Sequence, residues 1–221
     1  MSSNFIKTAL DILKETTDSN IVSENEYINS DVILDLGLQR NVEGQISVDR
    51  EKRISIAMTL VEKGVAIGEI IELLTWKDFE GLVAGILTEN GFRCIESFRR
   101  KGTNTIQGME IDVVGIRGKT ILAVDAKMWG IRGGKSNALR RAAEKQKERT
   151  YRLTSQFNQL SKRVGSMNRG EYEIIPIIVT WLVEGLELHD CVPVVPVFKF
   201  NSFILDFEQF QDIVVSYRGI Y

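Results

Sequence analysis

The stretch GMEIDVVGIRGKTILAVDAKMWG, residues 108–130, decides the fold. Two apolar runs flank Arg117, Gly118 and Lys119, and strand side chains alternate between faces, so the stretch reads as a β-hairpin. A two-residue loop at Arg117 and Gly118 sets Asp112 opposite Ala123. Asp112 and Asp125 then become diagonal neighbours, about 7–8 Å apart at the backbone. Ala123, Asp125 and Lys127 share one face, while Ile111, Val113, Leu122, Val124 and Ala126 form a wholly apolar one. Two carboxylates and an ammonium on a mostly buried sheet are costly unless something offsets their charge. A divalent cation does so, because Mg2+ takes hard oxygen ligands and needs only one or two protein carboxylates beside waters and phosphate oxygens.

Working outward, TWKDFEGLVAGILTENGF (75–92) opens on Thr75 with Asp78 three residues later, a capping pattern. It continues with Phe79, Leu82, Val83, Ile86 and Leu87 at helical spacing up to Gly91, which places Glu80 in the first turns of a helix. FRCIESFRR is a strand. Beyond the hairpin come a long basic helix from about 136 to 163, strands in EYEIIPIIVTWLV and CVPVVPVF, and a last helix in DFEQFQDIVVSY. This order predicts an α/β fold with a mixed central sheet flanked by helices, the crossover helix letting the later strands run parallel to the earlier ones. Residues 1–74 read as a separate, mainly helical domain and 75–221 as the second domain. The first has a helix over 4–15 and an ambiguous stretch over 21–48, with strands around Gly37 and Gly44. DREKRISIAMTLVEKG follows, its helical face carrying Ile54, Ala57, Met58 and Val61 and its cap being Gly64. With VAIGEIIELL it resembles a helix-turn-helix. The acidity around it disfavours phosphate contact, so a packing or dimerisation role is expected.

The composition, 221 residues with 43% hydrophobic content, suits one good core plus a helical appendage. A net charge of −2 conceals segregation: residues 1–80 carry 8 basic and 15 acidic side chains, whereas 127–163 carry 11 basic and 2 acidic. The basic block points to a polyanion-facing surface. Arg99, Arg100, Lys101, Arg132, Lys135, Arg140, Arg141 and Lys145 are its candidate DNA-backbone contacts. The glycine loop IRGGKSN (131–137) is a further place for a phosphate, and Trp129 is either a stacking residue or a core or rim tryptophan. The longest apolar run, IIPIIVTWLV, has ten residues including a Pro, well short of the ~20 of a membrane span. The N-terminus has no signal-peptide pattern, and Cys94 and Cys191 have no metal-site spacing, so a reduced cytoplasm is the expected compartment. His189 is the sole histidine and stands outside these motifs, which disfavours histidine-based catalysis.

Glu80 on a helix, EIDVV with Asp112, LAVDAK with Asp125 and Lys127, then a basic helix and two strands resemble the PD-(D/E)xK nuclease superfamily. Within it, the helix leading through Gly91 into a strand looks like the Mrr and archaeal Holliday-junction-resolvase branch. The resemblance covers about residues 75–215. It implies a restriction-endonuclease-like fold in which Asp112, Asp125 and the Ala126 carbonyl bind Mg2+, with Mn2+ as substitute. It also implies that Glu80 adds a ligand directly or through water and that Lys127 serves the attacking water. The implied reaction is endonucleolytic hydrolysis of DNA by in-line attack of a metal-activated water. A homodimer would supply the two sites that cutting two strands requires. Two departures stand out: Ile111 replaces the motif's proline, and Gln146 and Tyr151 lie five apart where RecB-like members have a Gln and Tyr four apart. The alternative function is a catalytically idle nuclease fold acting as a protein-binding module. An archaeal regulator that binds the TATA-binding protein is one example, its acidic N-terminal domain meeting a basic partner.

Overall fold

A computed structural model of the protein describes residues 2–22, 30–102, 108–129, 135–165 and 167–221. The chain divides into two units, Met1–Leu82 and Val83–Tyr221. The division falls within a helix rather than ahead of it, at residue 74.

Unit 1 contains α1 (Ser2–Glu15), β1 (Ile21–Val22), α2 (Ser30–Asp35), β2 (Ile46–Ser47), α3 (Arg50–Glu62) and α4 (Ile67–Leu73). The two short strands pair antiparallel at 21–22 and 46–47, so Gly37 and Gly44 belong to turns rather than strands. Helix α3 starts at Asp49, whose side chain accepts from Lys52 N, and stops before Gly64 at φ +86°. Its buried face is Arg53, Ile56, Ala57 and Leu60, with Met58 44% exposed. The predicted face of Ile54, Ala57, Met58 and Val61 is therefore rotated by about one position. Arg53 explains the rotation: its guanidinium is buried and donates to Asp78 Oδ2 (3.1 Å), Leu13 O (2.7 Å), Leu73 O (2.6 Å) and Thr16 Oγ1. An arginine with four of its five donors bonded can occupy a core position that an unpaired one could not.

Helix α5 (Trp76–Glu89) opens as the sequence predicts. Asp78 N donates to Thr75 Oγ1 at 3.1 Å, and Thr75 N donates back to Asp78 Oδ2 at 2.8 Å.

Unit 2 holds the end of α5, then β3 (Arg93–Arg100), β4 (Met109–Arg117), β5 (Thr120–Lys127), α6 (Lys135–Leu153), α7 (Phe157–Val164), β6 (Glu171–Thr180), β7 (Leu188–His189), β8 (Val192–Pro196), α8 (Val197–Leu205) and β9 (Tyr217–Ile220). The sheet order is β3-β4-β5-β6-β8-β7, with β9 beside β6. Strands β3, β4 and β5 run antiparallel, whereas β5, β6 and β8 run parallel. The fold is thus α/β with a mixed central sheet flanked by helices. On one face, Val114, Ile116, Ile121 and Ala123 pack under Leu153, Phe157 and Leu160 of α6 and α7. On the other, Gly115 faces Leu87 and Phe92, and Asn90 Nδ2 after α5 donates to Asn201 Oδ1 on α8 at 2.8 Å.

Three local readings change. The β4–β5 ladder pairs Arg117 with Thr120 and Val113 with Val124, so Gly118 (φ +60°) and Lys119 form the turn rather than Arg117 and Gly118. Arg117 stays in the strand because its guanidinium lies over the Phe92 ring (4.5 Å) and donates to Asn90 O (3.0 Å). The predicted helix over 136–163 is two helices, broken at residues 154–156. There Thr154 Oγ1 and Ser155 Oγ donate to Tyr151 O (2.7 Å) and Arg152 O (2.9 Å), competing with the helix for its carbonyls. The predicted last helix over 206–217 is instead a 3-10 turn at Phe207–Phe210 followed by β9. A four-residue strand containing glycine gives little pattern, and Gly219 is needed because a Cβ there would lie 2.4 Å from Phe157 Cε2.

Candidate active site

The register correction is by two residues and brings the acids closer along the ladder, while the alternation of β4 breaks at Asp112, Ile111 packing with Val114. The ladder ends at Val113 and Val124, so Asp112 and Asp125 are the next residues on either strand, and Ala123 pairs with Val114 rather than with Asp112. Past that point the strands part, and Asp112 Oδ2 accepts from Ala126 N at 2.8 Å. Asp125 and Lys127 sit at the carboxyl end of β5, level with Ile178 and Thr180 of the parallel β6. Open α/β sheets place their sites at such strand ends. On the opposite face Val113, Leu122 and Val124 are buried as expected, whereas Ile111 joins the cluster of Val114, Ile116, Ile121 and Ala123 on the α6–α7 side.

Asp125 is 1% exposed, and both its oxygens meet cations. Lys127 Nζ lies 2.7 Å from Oδ2, and Arg149 Nη1 donates to Oδ1 at 3.0 Å. Burial first, and then the charge of Asp125, push the Asp112 carboxyl above its ordinary range, against the opposing pull of the Ala126 N–H, Lys127 and Arg149.

These features bear on the expected metal. Among the described residues no group of three or more His, Cys, Asp or Glu is placed to hold one, and the site itself offers two carboxylates. Their chemistry suits Mg2+, which accepts one or two protein carboxylates and completes its shell with water and phosphate. A divalent cation between them would also relieve the repulsion that raises Asp112. Glu80 belongs to unit 1, where it is buried on α5 with Lys77 Nζ 3.4 Å from its Oε2.

The basic residues sort into two groups. One cleft of about 480 Å3 is lined by Arg99, Arg100, Lys101, Lys145, Arg149 and Arg152 among others. A second, of about 300 Å3, is lined by Asp125, Lys127, Trp129, Arg141, Lys145 and Arg149. Lys145 and Arg149 face both clefts, and with Arg141 they recur every fourth residue on one stripe of α6. Arg99 is paired to Glu110 at 2.6 Å and Arg152 to Glu148. Arg100, Lys101, Arg141 and Lys145 have no ion pair among the described residues. Arg140 is exposed on α6 but lines neither cleft, because it is one position off the stripe. Lys135 opens α6, while Arg132 and the glycines of residues 131–134 lie outside the described residues. Trp129 is a rim residue: half-buried, it packs against the cluster of Leu139, Ala143, Ile178, Val192 and Val194. His189 Nε2 is 3.4 Å from Glu144 Oε1.

The roles of two residues escaped the sequence reading. Gln146 is fully buried and donates to Ala123 O at 2.8 Å, which ties α6 to β5 two residues before Asp125. Its Oε1 has no hydrogen-bond partner among the described residues. Tyr151, weighed with it from the sequence, is 61% exposed and stacks edge-on to Tyr217. Arg149 is the second participant. The stripe Arg141, Lys145, Arg149 was visible in the sequence, but its aim at Asp125 was not.

No protein-family model matches the chain. An uncharacterized protein of Archaeoglobus fulgidus is 29% identical over 131 residues, covering 59% of this chain and 90% of that one. Among solved structures, protein VC1899 from Vibrio cholerae aligns with a TM-score of 0.36 and 10% identity over 96% of this chain. Can2 from Sulfobacillus thermosulfidooxidans, in complex with cyclic tetra-adenylate, aligns with a TM-score of 0.33 and 8% identity over 91%. The chain spans about half the length of these two structures, 54% and 50%. No described helix is long and apolar enough to cross a membrane.

Proposed function

We propose that the protein is a Mg2+-dependent DNA endonuclease of the PD-(D/E)xK superfamily with a restriction-endonuclease-like second unit. One observation carries the reading: Asp112 and Asp125 lie close enough to repel where the β4–β5 ladder ends, Lys127 sits on Asp125, and a basic cleft runs past Asp125 and Lys127. Charges of both signs at the end of a buried sheet are expensive to maintain for structure alone.

Asp112 and Asp125 would hold the cation, with the Ala126 carbonyl added by the resemblance and Mn2+ as substitute. When bound, the cation supplies Lewis acidity toward a phosphate oxygen and lowers the pKa of a water. The protein's own groups do the remaining work. Lys127, on a flexible stem and about a quarter exposed, presents donors that orient the attacking water and answer charge developing on the phosphoryl oxygens. Arg141 and Lys145 hold the backbone in register from α6, and Arg100 and Lys101 do so from the end of β3. Gln146 keeps α6 seated on β5, so these distances persist under load. Cutting both strands of a duplex calls for a second copy of the site, and a homodimer belongs to the proposal.

The test is cleavage of labelled duplex, single-stranded, flap and four-way-junction DNAs with Mg2+ or Mn2+, comparing wild type with Asp125→Ala and Lys127→Ala. Cutting by wild type and loss in both variants is the expected result. No cutting, together with no calorimetric Mg2+ binding, would overturn the reading in favour of an interaction module.

A further inference from the structure

Asp125 is held by two cations of different standing. Lys127 is its neighbour on the same strand, and its ammonium can swing on four carbons. Arg149 comes from another element, and it is delivered there. Its carrier α6 is pinned to β5 by buried Gln146, one turn earlier, through the 2.8 Å bond to Ala123 O. Arg149 is also the group that both clefts share with Lys145, and its side chain is 31% exposed. An anion entering from either side therefore meets the guanidinium that bonds the buried carboxylate.

A guanidinium stays charged at any working pH, so a divalent cation cannot deprotonate it and has to displace it. With Lys127 and Arg149 on its two oxygens, Asp125 is a poor ligand. A phosphate offers Arg149 an alternative anion with matching geometry, since five donors in a planar fork suit phosphate as well as carboxylate. We propose that Arg149 is a substrate-operated gate: it blocks the cation site on Asp125 in the DNA-free protein and transfers to a backbone phosphate when DNA fills the cleft, which opens Asp125 to Mg2+. This inference rests on the nuclease reading of the same site. It adds an order of events, DNA before metal, and a residue that imposes it. By linkage, Mg2+ must then tighten DNA binding by the same factor that DNA tightens Mg2+ binding.

The experiment is isothermal titration of Mg2+ into the full chain, free and bound to a short duplex with phosphorothioate linkages. Wild type, Arg149→Gln, Arg149→Lys and Asp125→Asn are compared, each checked for folding by its thermal melt. Removing one positive charge in contact with the ligand carboxylate should tighten Mg2+ binding of the free protein by about tenfold or more. Arg149→Gln should thus bind Mg2+ more tightly than wild type without DNA and gain less from adding it. Arg149→Lys, which keeps the charge, should stay near wild type, and Asp125→Asn should bind weakly throughout. Mg2+ affinity of free Arg149→Gln equal to wild type would overturn the gate while leaving the nuclease reading intact, because wild type would still bind Mg2+ and cut. Absence of Mg2+ binding in every protein, with or without DNA, would overturn both. If Arg149→Gln does not fold, wild type alone still decides against the gate when DNA leaves its Mg2+ affinity unchanged.

Discussion

The basic cleft makes a numerical statement about salt. Of the cations lining the two clefts that share Lys145 and Arg149, Arg99 and Arg152 are answered by Glu110 and Glu148, and Lys127 and Arg149 by Asp125. Arg100, Lys101, Arg141 and Lys145 remain to meet phosphates, and Arg149, which would exchange Asp125 for a phosphate, bares one carboxylate for the phosphate it neutralises and adds no net release to the count. Each phosphate neutralised on duplex DNA releases counterions worth about −0.9 in the slope of log K against log salt, and about −0.7 on a single strand. Four contacts predict slopes of about −3.6 and −2.8, or losses of roughly 150-fold and 50-fold in affinity between 50 and 200 mM salt. Lys145→Ala should flatten the duplex slope by about 0.9, so that its deficit against wild type shrinks about 3.5-fold across that range. Arg140→Ala is the internal control. It removes the same charge from the same helix at a position outside both clefts, and the slope should not move. The assay is fluorescence anisotropy of a labelled oligonucleotide, with chelator present so that nothing is cut. A wild-type duplex slope shallower than about −1.5, or equal effects of Lys145→Ala and Arg140→Ala, would refute the assignment of this cleft to nucleic acid.

Other expectations concern the residues that hold the framework. Arg53→Met strands Asp78 in the core of unit 1 without its guanidinium partner and should cost about 3–5 kcal/mol in chemical denaturation; a loss under ~1 kcal/mol would mean that the hub is dispensable. Asp112 has a folded-state pKa above the ordinary 3.8, so the folded protein holds that proton more tightly than the unfolded chain does. The stability it contributes is complete below the ordinary value and is lost as pH rises through the raised one. Asp112→Asn should accordingly melt higher than wild type at neutral pH, and the gap should close toward pH 4, while Mg2+ binding disappears; a lower melt at pH 7 would contradict the sign. Gly219→Ala forces a methyl into the Phe157 ring and should cost about 1–3 kcal/mol, read as faster hydrogen exchange in β9 with β5 unaffected.

What the sequence shows and what it hides separate along a physical line. Thr75 and Asp78 cap α5 through contacts three residues apart, and the alternation in 109–117 and 120–127 is a property of each strand alone. Both are legible because the interacting groups are neighbours in the chain. The shared side of Asp125 and Lys127, two residues apart on one strand, survives for the same reason. The register of β4 against β5 does not, since Arg117-Gly118-Lys119 offers two possible two-residue turns. The choice is made by Phe92 and Asn90, some 25 residues upstream, which hold Arg117 in the strand. The buried face of α3 turns on Arg53, whose partners Leu13 and Asp78 lie 40 and 25 residues away. Arg149 is the sharpest case. Its charge and its place on a stripe with Arg141 and Lys145 are visible from spacing, and a stripe of cations on a helix is ordinarily a solvated face. What converts one member of the stripe into a counter-ion is the angle at which α6 crosses β5, which Gln146 fixes by bonding a backbone carbonyl that any residue at 123 would supply. Because the recipient of that bond is main chain, no residue identity on β5 could have announced it.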